Sequence, residues 1–349
     1  MKARVKPGYC AERQSLKDIV PLDTPFTLFI SPSQRCNFRC SFCSHSLPES
    51  RKREAGFASR DLDMRTFHTI AEQSKHFSSK YKRILLTGLG EPLLNHNIAE
   101  MVAILRDCDI AEQLEIFTNA SLLTEKLSEE LIRSGLTRLR ISVQGTNAQK
   151  YLTHCGVKIN FEKLVDGIRF FYEKSRGKCS IYCKIINEQL ENDEDRERFF
   201  SLFGDMSDDI FVENLVRAQP MMGDYDNEIP LSRTFYGEAS NKREVCPYLF
   251  YSLQTDSEGN CYPCPPLSLP LSFSLGNVHE IPLTAIWNGK NHTELMLSHL
   301  RKDGSKCDLC RKCTNYLCFT PEEDNLDTSA AAIMAQILNR RCSPEVGHG

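Results

Sequence analysis

The sequence predicts an α/β protein: a parallel sheet of six strands, each separated from the next by a helix-length segment, with a smaller cysteine-rich domain behind it. Three observations carry this. Short apolar runs alternate six times with amphipathic stretches over the first two thirds of the chain, which is the pattern of βα units. The alternation stops between about 224 and 244, where Pro, Gly and charged residues mix without a period. Eight of the sixteen cysteines then fall between Cys246 and Cys342.

Taken in order, residues 1–24 are polar and read as an N-terminal arm. Phe26–Ile30 (FTLFI), bounded by Pro25 and Pro32, reads as the first buried strand. Apolar residues at Leu62, Met64, Phe67, Ile70 and Phe77 keep a helical period and place a helix over 61–77. A strand at Arg83–Thr87 leads into the glycine turn of 88–92. The alternation continues with a helix at Ile98–Arg106, a strand at Leu114–Thr118, a helix at Glu125–Ser134 and a strand at Leu139–Val143. It ends with a helix at Phe161–Lys174, a strand at Ser180–Ile186, a helix at Asp195–Phe203 and a strand at Ile210–Glu213. Six strands are too few for a closed eight-stranded barrel. The division expected is 1–24 for the arm, 25–235 for the sheet domain and 236–349 for the cysteine-rich domain.

At 349 residues, with 41% hydrophobic and 26% charged residues, the composition is that of a soluble globular protein. A net charge of −3 gives no reason to expect a nucleic-acid or membrane partner. The first residues show no apolar core of a signal peptide, and no run of about 18 apolar residues is long enough to span a bilayer. Cysteines at short spacings in an unsecreted chain point to metal rather than to disulfides. Ligating thiols must stay reduced, so the expected compartment is the cytoplasm.

The densest chemistry lies between Ser31 and Pro48, where Cys36, Cys40 and Cys43 stand in the spacing C-x3-C-x2-C. Three thiolates there need a distant fourth ligand to make a tetrahedral zinc site. They suffice for three corners of a [4Fe–4S] cube, whose fourth iron stays open to bind another molecule. Arg35, Asn37, Arg39, Ser41 and Ser44 make the surroundings polar, which speaks against three buried core cysteines. Each further candidate, Gly88–Pro92, Thr118-Asn119 and Ser142-x-Gln144, also follows a strand, so all fall on one rim of the sheet.

Cys36-Asn37-Phe38-Arg39-Cys40-Ser41-Phe42-Cys43 resembles the signature of the radical S-adenosylmethionine (radical SAM) superfamily. That resemblance implies a partial (β/α)6 barrel, and the strand count agrees with it. It also implies that SAM chelates the open iron and that Phe42 backs the adenine. The turn Gly88-Leu89-Gly90-Glu91-Pro92 is similar to the family's "GGE"-type motif; Leu89 stands where a second Gly is usual, while Gly90 and Glu91 match. By the same resemblance the backbone of Gly88 and Gly90 approaches the SAM amino group and Glu91 accepts from it. Asn119, Ser142, Gln144 and Glu213 fall at strand ends where the family contacts the SAM carboxylate, ribose or adenine. Gln144 departs from the acidic residue common there. Read without the family, glycines and polar residues at strand ends are ordinary turn formers.

Cys246, Cys261, Cys264, Cys307, Cys310, Cys313, Cys318 and Cys342, with Gly276-Asn277-Val278 and Ile286-Trp287-Asn288 between them, resemble the SPASM or twitch extension of the same family. It implies one or two auxiliary [4Fe–4S] clusters. The spacings alone also admit a zinc ribbon built from two cysteine pairs. Eight thiolates suffice for two cubes at four each. One auxiliary cluster is expected on Cys246, Cys264, Cys310 and Cys313. A second would use Cys307, Cys318 and Cys342, with Cys261 as a spare thiol that serves as ligand or as hydrogen donor to a substrate radical. Cys10, Cys108, Cys155, Cys179 and Cys183 fit no ligand spacing.

The resemblance implies that the reduced cluster cleaves SAM to methionine and a 5′-deoxyadenosyl radical, which takes a hydrogen atom from the substrate. The partners expected are a small-molecule substrate and a reductant such as flavodoxin or ferredoxin. The segment from Cys246 to Leu253, with 276–278 and 286–289, resembles members acting on sugars and aminocyclitols, so a dehydrogenase or epimerase of a small polyol is expected. A maturase of a ribosomal peptide is the alternative; peptide-modifying members often add a recognition domain, whereas only a short stretch stands ahead of the first strand here, and a separate carrier protein could supply that recognition. A non-catalytic iron–sulfur or zinc scaffold is the alternative of another class.

Overall fold

The structure, a computed structural model, describes all residues except 10–11, 55–56, 58, 218–230, 268, 304–305 and 343–349, and the side chains of 54, 341 and 342. Ten strands form one sheet: β1 (Arg4–Val5), β2 (Thr27–Ile30), β3 (Tyr81–Leu86), β4 (Ala111–Thr118), β5 (Arg138–Ser142), β6 (Ser180–Ile186), β7 (Asp209–Glu213), β8 (Ser252–Thr255), β9 (Asn260–Tyr262) and β10 (Gly276–Asn277). Their order is β1-β7-β6-β5-β4-β3-β2-β8-β9-β10. The first eight strands in sequence are mutually parallel, and β9 and β10 turn back antiparallel. The sheet does not return on itself, so the barrel is partial and open.

The six expected strands are β2 to β7, each within a few residues of its expected ends. The helices between them are α1 (Glu49–Glu54), α2 (Met64–Ser74), α3 (Ile98–Asp107), α4 (Glu125–Arg133), α5 (Ala148–Cys155), α6 (Phe161–Ser175) and α7 (Asp193–Phe203). Helix α2 is shorter than the periodic stretch because Asp63 caps it, accepting from the Thr66 N–H at 2.8 Å. Thr124, Asn147, Asn160 and Asn192 cap α4, α5, α6 and α7 in the same way. Helix α5 was not anticipated: only Tyr151 and Cys155 of its apolar side chains are buried, too few to make a period.

Alternate strand residues divide the sheet into two chemically distinct faces. Leu28, Ile30, Ile84, Leu86, Leu114, Ile116, Leu139, Ile141, Ile181, Cys183 and Ile185 are fully buried against the helix layer. The concave face instead carries Phe29, Glu115, Phe117, Arg138, Arg140, Tyr182, Lys184 and Glu213, and this face is the lumen.

The chain does not separate cleanly at the expected boundaries. β8 pairs parallel with β2, from Thr27↔Ser252 to Ile30↔Thr255, so the sheet runs across the 235/236 division. The C-terminal part adds α8 (Tyr248–Tyr251), α9 (Leu283–Trp287), α10 (Lys290–Leu300), α11 (Asp308–Lys312) and α12 (Ala330–Cys342). Nor is the arm merely polar: Leu16 and Val20 are buried with Val245, Leu249, Phe250, Leu297 and Ile333 in a second apolar cluster. No helix among the described residues is long and apolar enough to cross a membrane.

Candidate active site

Because β2 to β7 are parallel, their C-terminal ends share one rim, and the loops that leave them meet there. The loop after β2 holds Cys36, Cys40 and Cys43. It is tied down on several sides. The Gln34 N–H donates to the Arg60 carbonyl at 2.9 Å, and the Ser33 hydroxyl donates to Asp61 at 2.7 Å. The N–H groups of Arg39 and Ser41 donate to the carbonyls of Cys155 and His154, both at 2.9 Å. Phe38 meets the Tyr151 ring edge-on at 5.8 Å. The three thiols influence one another electrostatically, and burial pushes Cys36 up to about 12. A free thiolate is thus disfavoured there, and bound metal would have to displace the protons.

The turn after β3 packs directly on this loop. Gly88 has φ of 153°, and a Cβ on Gly90 would lie 2.5 Å from the Ser33 carbonyl and closer still to that of Arg35. Gly88, Leu89 and Gly90 are half-exposed on the rim, as is Phe42.

Glu91, expected to accept from an ammonium group, is engaged here by groups of the chain itself. Its side chain is 3% exposed. One carboxylate oxygen accepts from Thr118 Oγ1 at 2.5 Å and the Leu93 N–H at 3.0 Å, and the other accepts from the Asn119 N–H at 2.8 Å. The carboxylate therefore staples the turn after β3 to the end of β4. Burial outweighs these donors and pushes it up to about 7.

The remaining rim residues are also engaged. Asn119 Nδ2 donates to Asn37 Oδ1 at 2.9 Å, and Asn37 Nδ2 donates to Ser121 Oγ at 2.8 Å, which locks the cysteine loop to the end of β4. Gln144 donates to the Ser142 carbonyl at 3.1 Å and accepts from Gln189 at 2.7 Å, while Ser142 itself is half-exposed. Glu213 accepts from the Tyr182 hydroxyl at 2.9 Å and from Lys184 at 2.6 Å.

Below the rim lies a lumen that the motifs did not reveal. Arg138 reaches Asp209 at 3.6 Å, Arg140 reaches Glu115 at 3.4 Å and Lys184 reaches Glu213 at 2.6 Å. Arg140 lies over the rings of Phe117 and Tyr182 at 5.1 and 5.2 Å, and Lys184 lies 5.1 Å from the Phe117 centroid. Tyr236, from the segment after the barrel, packs on Phe211 and feels Glu213, Arg140 and Arg83. A signal for this was present: the strand RLRIS alternates Arg with Leu and Ile. A parallel sheet covered on both faces would be apolar at every position.

The C-terminal cysteines gather around one cavity of about 380 Å³, lined by Cys246, Cys264, Cys310 and Cys313 together with His299, Tyr248, Lys302 and Lys306. Cys246, Cys307, Cys310 and Cys313 all raise the Cys264 thiol electrostatically, in addition to its burial. Cys307 thus lies near this group although it does not line the cavity, and its sulfur accepts from the Cys310 N–H at 3.3 Å as the cap of α11. Cys318 is buried and lies against the carbonyls of Arg217 and Thr314 at 3.5 and 3.8 Å. The side chain of Cys342 lies outside the described residues, as does Cys10. Of the possible second set on Cys307, Cys318 and Cys342, the described residues place Cys307 near the first group and Cys318 in a separate buried position. Cys261 is fully buried in the core on β9, outside the lining of the cavity that the other cysteines share.

Cys155, which no spacing singled out, lies with its sulfur 3.5 Å from that of Cys40. Only the long-range packing of α5 brings it there. Cys179 and Cys183 are core residues. Among the described residues no three His, Cys, Asp or Glu side chains converge tightly enough to hold a single metal ion. Both cysteine groups do fit an iron–sulfur cluster by their donor chemistry: three thiols in one anchored loop, and four around one cavity.

The profile of the radical SAM superfamily matches residues 30–203, and that of an iron–sulfur cluster-binding domain, SPASM, matches residues 246–314. GTP 3′,8-cyclase of Peptoclostridium acidaminophilum is 31% identical over 191 residues, which is 53% of this chain and 54% of that protein. GTP 3′,8-cyclase of Listeria monocytogenes is 28% identical over 216 residues, 61% of this chain and 60% of that protein. The chain thus spans little more than half the length of these curated relatives. Among solved structures, Streptococcus suis SuiB bound to precursor peptide SuiA matches 88% of this chain and 77% of that one, with a TM-score of 0.61 at 17% identity. BtrN in complex with AdoMet and 2-DOIA matches 86% of this chain and 97% of that one, with a TM-score of 0.53 at 20% identity. At these identities the structural likeness shows the fold alone.

Proposed function

Because the chain belongs to the radical SAM superfamily and carries an iron–sulfur cluster-binding domain behind its barrel, we propose that it removes a hydrogen atom from a small polar substrate, a sugar, aminocyclitol or related polyol, held in the lumen. The outcome would be dehydrogenation or epimerisation. When bound, the cluster and SAM supply the 5′-deoxyadenosyl radical, and the protein supplies position and shelter. Cys36, Cys40 and Cys43 would hold that cluster. Phe42, the backbone of Gly88 to Gly90 and the Ser142 hydroxyl are the half-exposed groups on the rim that would face SAM. Glu91, Asn119, Gln144 and Glu213 would keep the rim in shape through the partners described above. Cys246, Cys264, Cys310 and Cys313 would hold one auxiliary cluster. Hydrogen-atom removal depends on placement of the reacting carbon rather than on a tuned acid–base pair.

The observation that carries the substrate reading is the charge-paired lumen beneath the cysteine rim. Its ion pairs, Arg140–Glu115 and Lys184–Glu213, keep lone pairs and N–H groups to spare for hydroxyls. The names of the relatives favour a second reading, a nucleoside triphosphate. A triphosphate needs several unmatched cations, whereas Arg138, Arg140 and Lys184 each face a carboxylate. The electron donor would be a flavodoxin or ferredoxin in the cytoplasm.

Anaerobically reconstituted protein, incubated with SAM and dithionite, tests both readings. Deuterium passing from a labelled sugar or aminocyclitol into 5′-deoxyadenosine supports the polyol reading. Turnover of GTP alone, or of a peptide alone, replaces it. Absence of 5′-deoxyadenosine under every condition sinks the radical mechanism itself and leaves the scaffold alternative.

A further inference from the structure

His299, in the last turn of α10, lines the cavity that Cys246, Cys264, Cys310 and Cys313 share. It is 3% exposed. Its Nδ1 receives the backbone N–H of Cys246 at 3.3 Å. A ring nitrogen that accepts from an N–H carries no proton, so in the neutral imidazole the proton sits on Nε2. That Nε2 is buried and has no hydrogen-bond partner. Leaving a buried donor unsatisfied is costly, so such a group in a cavity marks the place of an acceptor. The sulfurs of an iron–sulfur cluster are acceptors, and hydrogen bonds to them set its reduction potential.

We propose that His299 is a positioning residue of the auxiliary site: its Nε2–H donates a hydrogen bond to a sulfur of the cluster held by Cys246, Cys264, Cys310 and Cys313, while its Nδ1 orients the backbone at Cys246. The inference rests on the auxiliary-cluster reading of this cavity. It adds what the cysteine spacing cannot supply, a tuning donor contributed by a different helix. Reduction adds negative charge to the cluster, so the donor holds the reduced form and raises the potential. Lys306 at the same cavity acts in the same direction, while the charge of Lys302 is met by Glu244 at 2.9 Å.

The two ring nitrogens can be separated by substitution in the full chain. His299→Asn keeps an acceptor near the Nδ1 position and removes the Nε2 donor. His299→Gln keeps a donor near Nε2 and removes the Nδ1 acceptor. In a background where Cys36, Cys40 and Cys43 are changed to Ala, only the auxiliary cluster contributes to an EPR-monitored redox titration. A midpoint potential shifted to more negative values in His299→Asn, with His299→Gln close to the parent, is the expected result. Loss of iron from the Asn variant but not from the Gln variant carries the same conclusion. Potential and EPR signal unchanged in both variants would overturn the assignment. If the parent background takes up no iron and sulfide at all, the auxiliary-cluster reading fails first, and the two failures are distinguished.

Discussion

At the scale of single residues, the Glu91 carboxylate is out of water yet held by three donors, and burial pushes it from 4.5 to about 7. Between those values the folded chain binds more protons than the unfolded chain, so stability falls as pH rises across the window. Glu91→Gln removes that titration. The stability of the wild type relative to Glu91→Gln is therefore expected to fall by on the order of 3 kcal/mol between pH 4.5 and 8. Denaturant midpoints at both pH values check this; parallel curves for the two proteins would contradict it. Gly90 is a second residue on which the rim turns. Its Cβ position overlaps two backbone carbonyls, which cannot swing aside as a side chain can. Gly90→Ala is expected to cost about 1–3 kcal/mol and to lower the iron bound by the loop of Cys36, Cys40 and Cys43, read by thermal denaturation and iron assay.

At the scale of elements, the two cysteine loops differ in how far they could be read beforehand. Cys36, Cys40 and Cys43 lie on one loop after one strand, and spacing alone brings them together. The C-terminal set is drawn from the approach to α8, the loop after β9, the body of α11 and its C-terminal cap, so its grouping depends on how those elements pack. Spacing there left one or two sets open, and packing brings Cys246, Cys264, Cys310 and Cys313 around one cavity. Replacing Cys246, Cys264, Cys310 or Cys313 by Ser is expected to lower the iron content by about four atoms per chain. Cys261→Ser and Cys318→Ser are expected to leave it unchanged. Equal losses in all six variants would argue for a second cluster after all. The strands were legible because their apolar runs are short and bounded. Glu91 was not, because the same carboxylate can face a ligand or cap a turn, and only the position of Thr118 and Asn119 decides. The lumen lay between these cases: Arg138 and Arg140 alternate with buried leucine and isoleucine, but their partners Asp209 and Glu115 sit on other strands.

At the scale of the whole molecule, the N-terminal arm fastens the barrel to the C-terminal part. β1 extends the sheet beyond β7, and a Cβ on Gly8 would lie 2.5 Å from the Arg140 guanidinium and 2.6 Å from the Tyr182 ring, so the arm closes one end of the lumen. Tyr9 then packs on Tyr236 and Phe319, both at 4.9 Å, and Arg13 meets Asp324 at 2.5 Å. Asp324 is 2% exposed, so removing its guanidinium partner leaves a buried charge without an answer. Arg13→Met is expected to destabilise the protein by about 3–5 kcal/mol, and Arg13→Met combined with Asp324→Leu to recover most of that loss. The same strap makes a functional prediction. Loosening it opens the end of the lumen far from Cys36, Cys40 and Cys43, so Arg13→Met should still cleave SAM slowly without substrate but lose the stimulation that substrate brings. Comparing 5′-deoxyadenosine formation with and without substrate measures this, and equal losses of both rates would place the effect of Arg13 on overall folding instead of on the lumen.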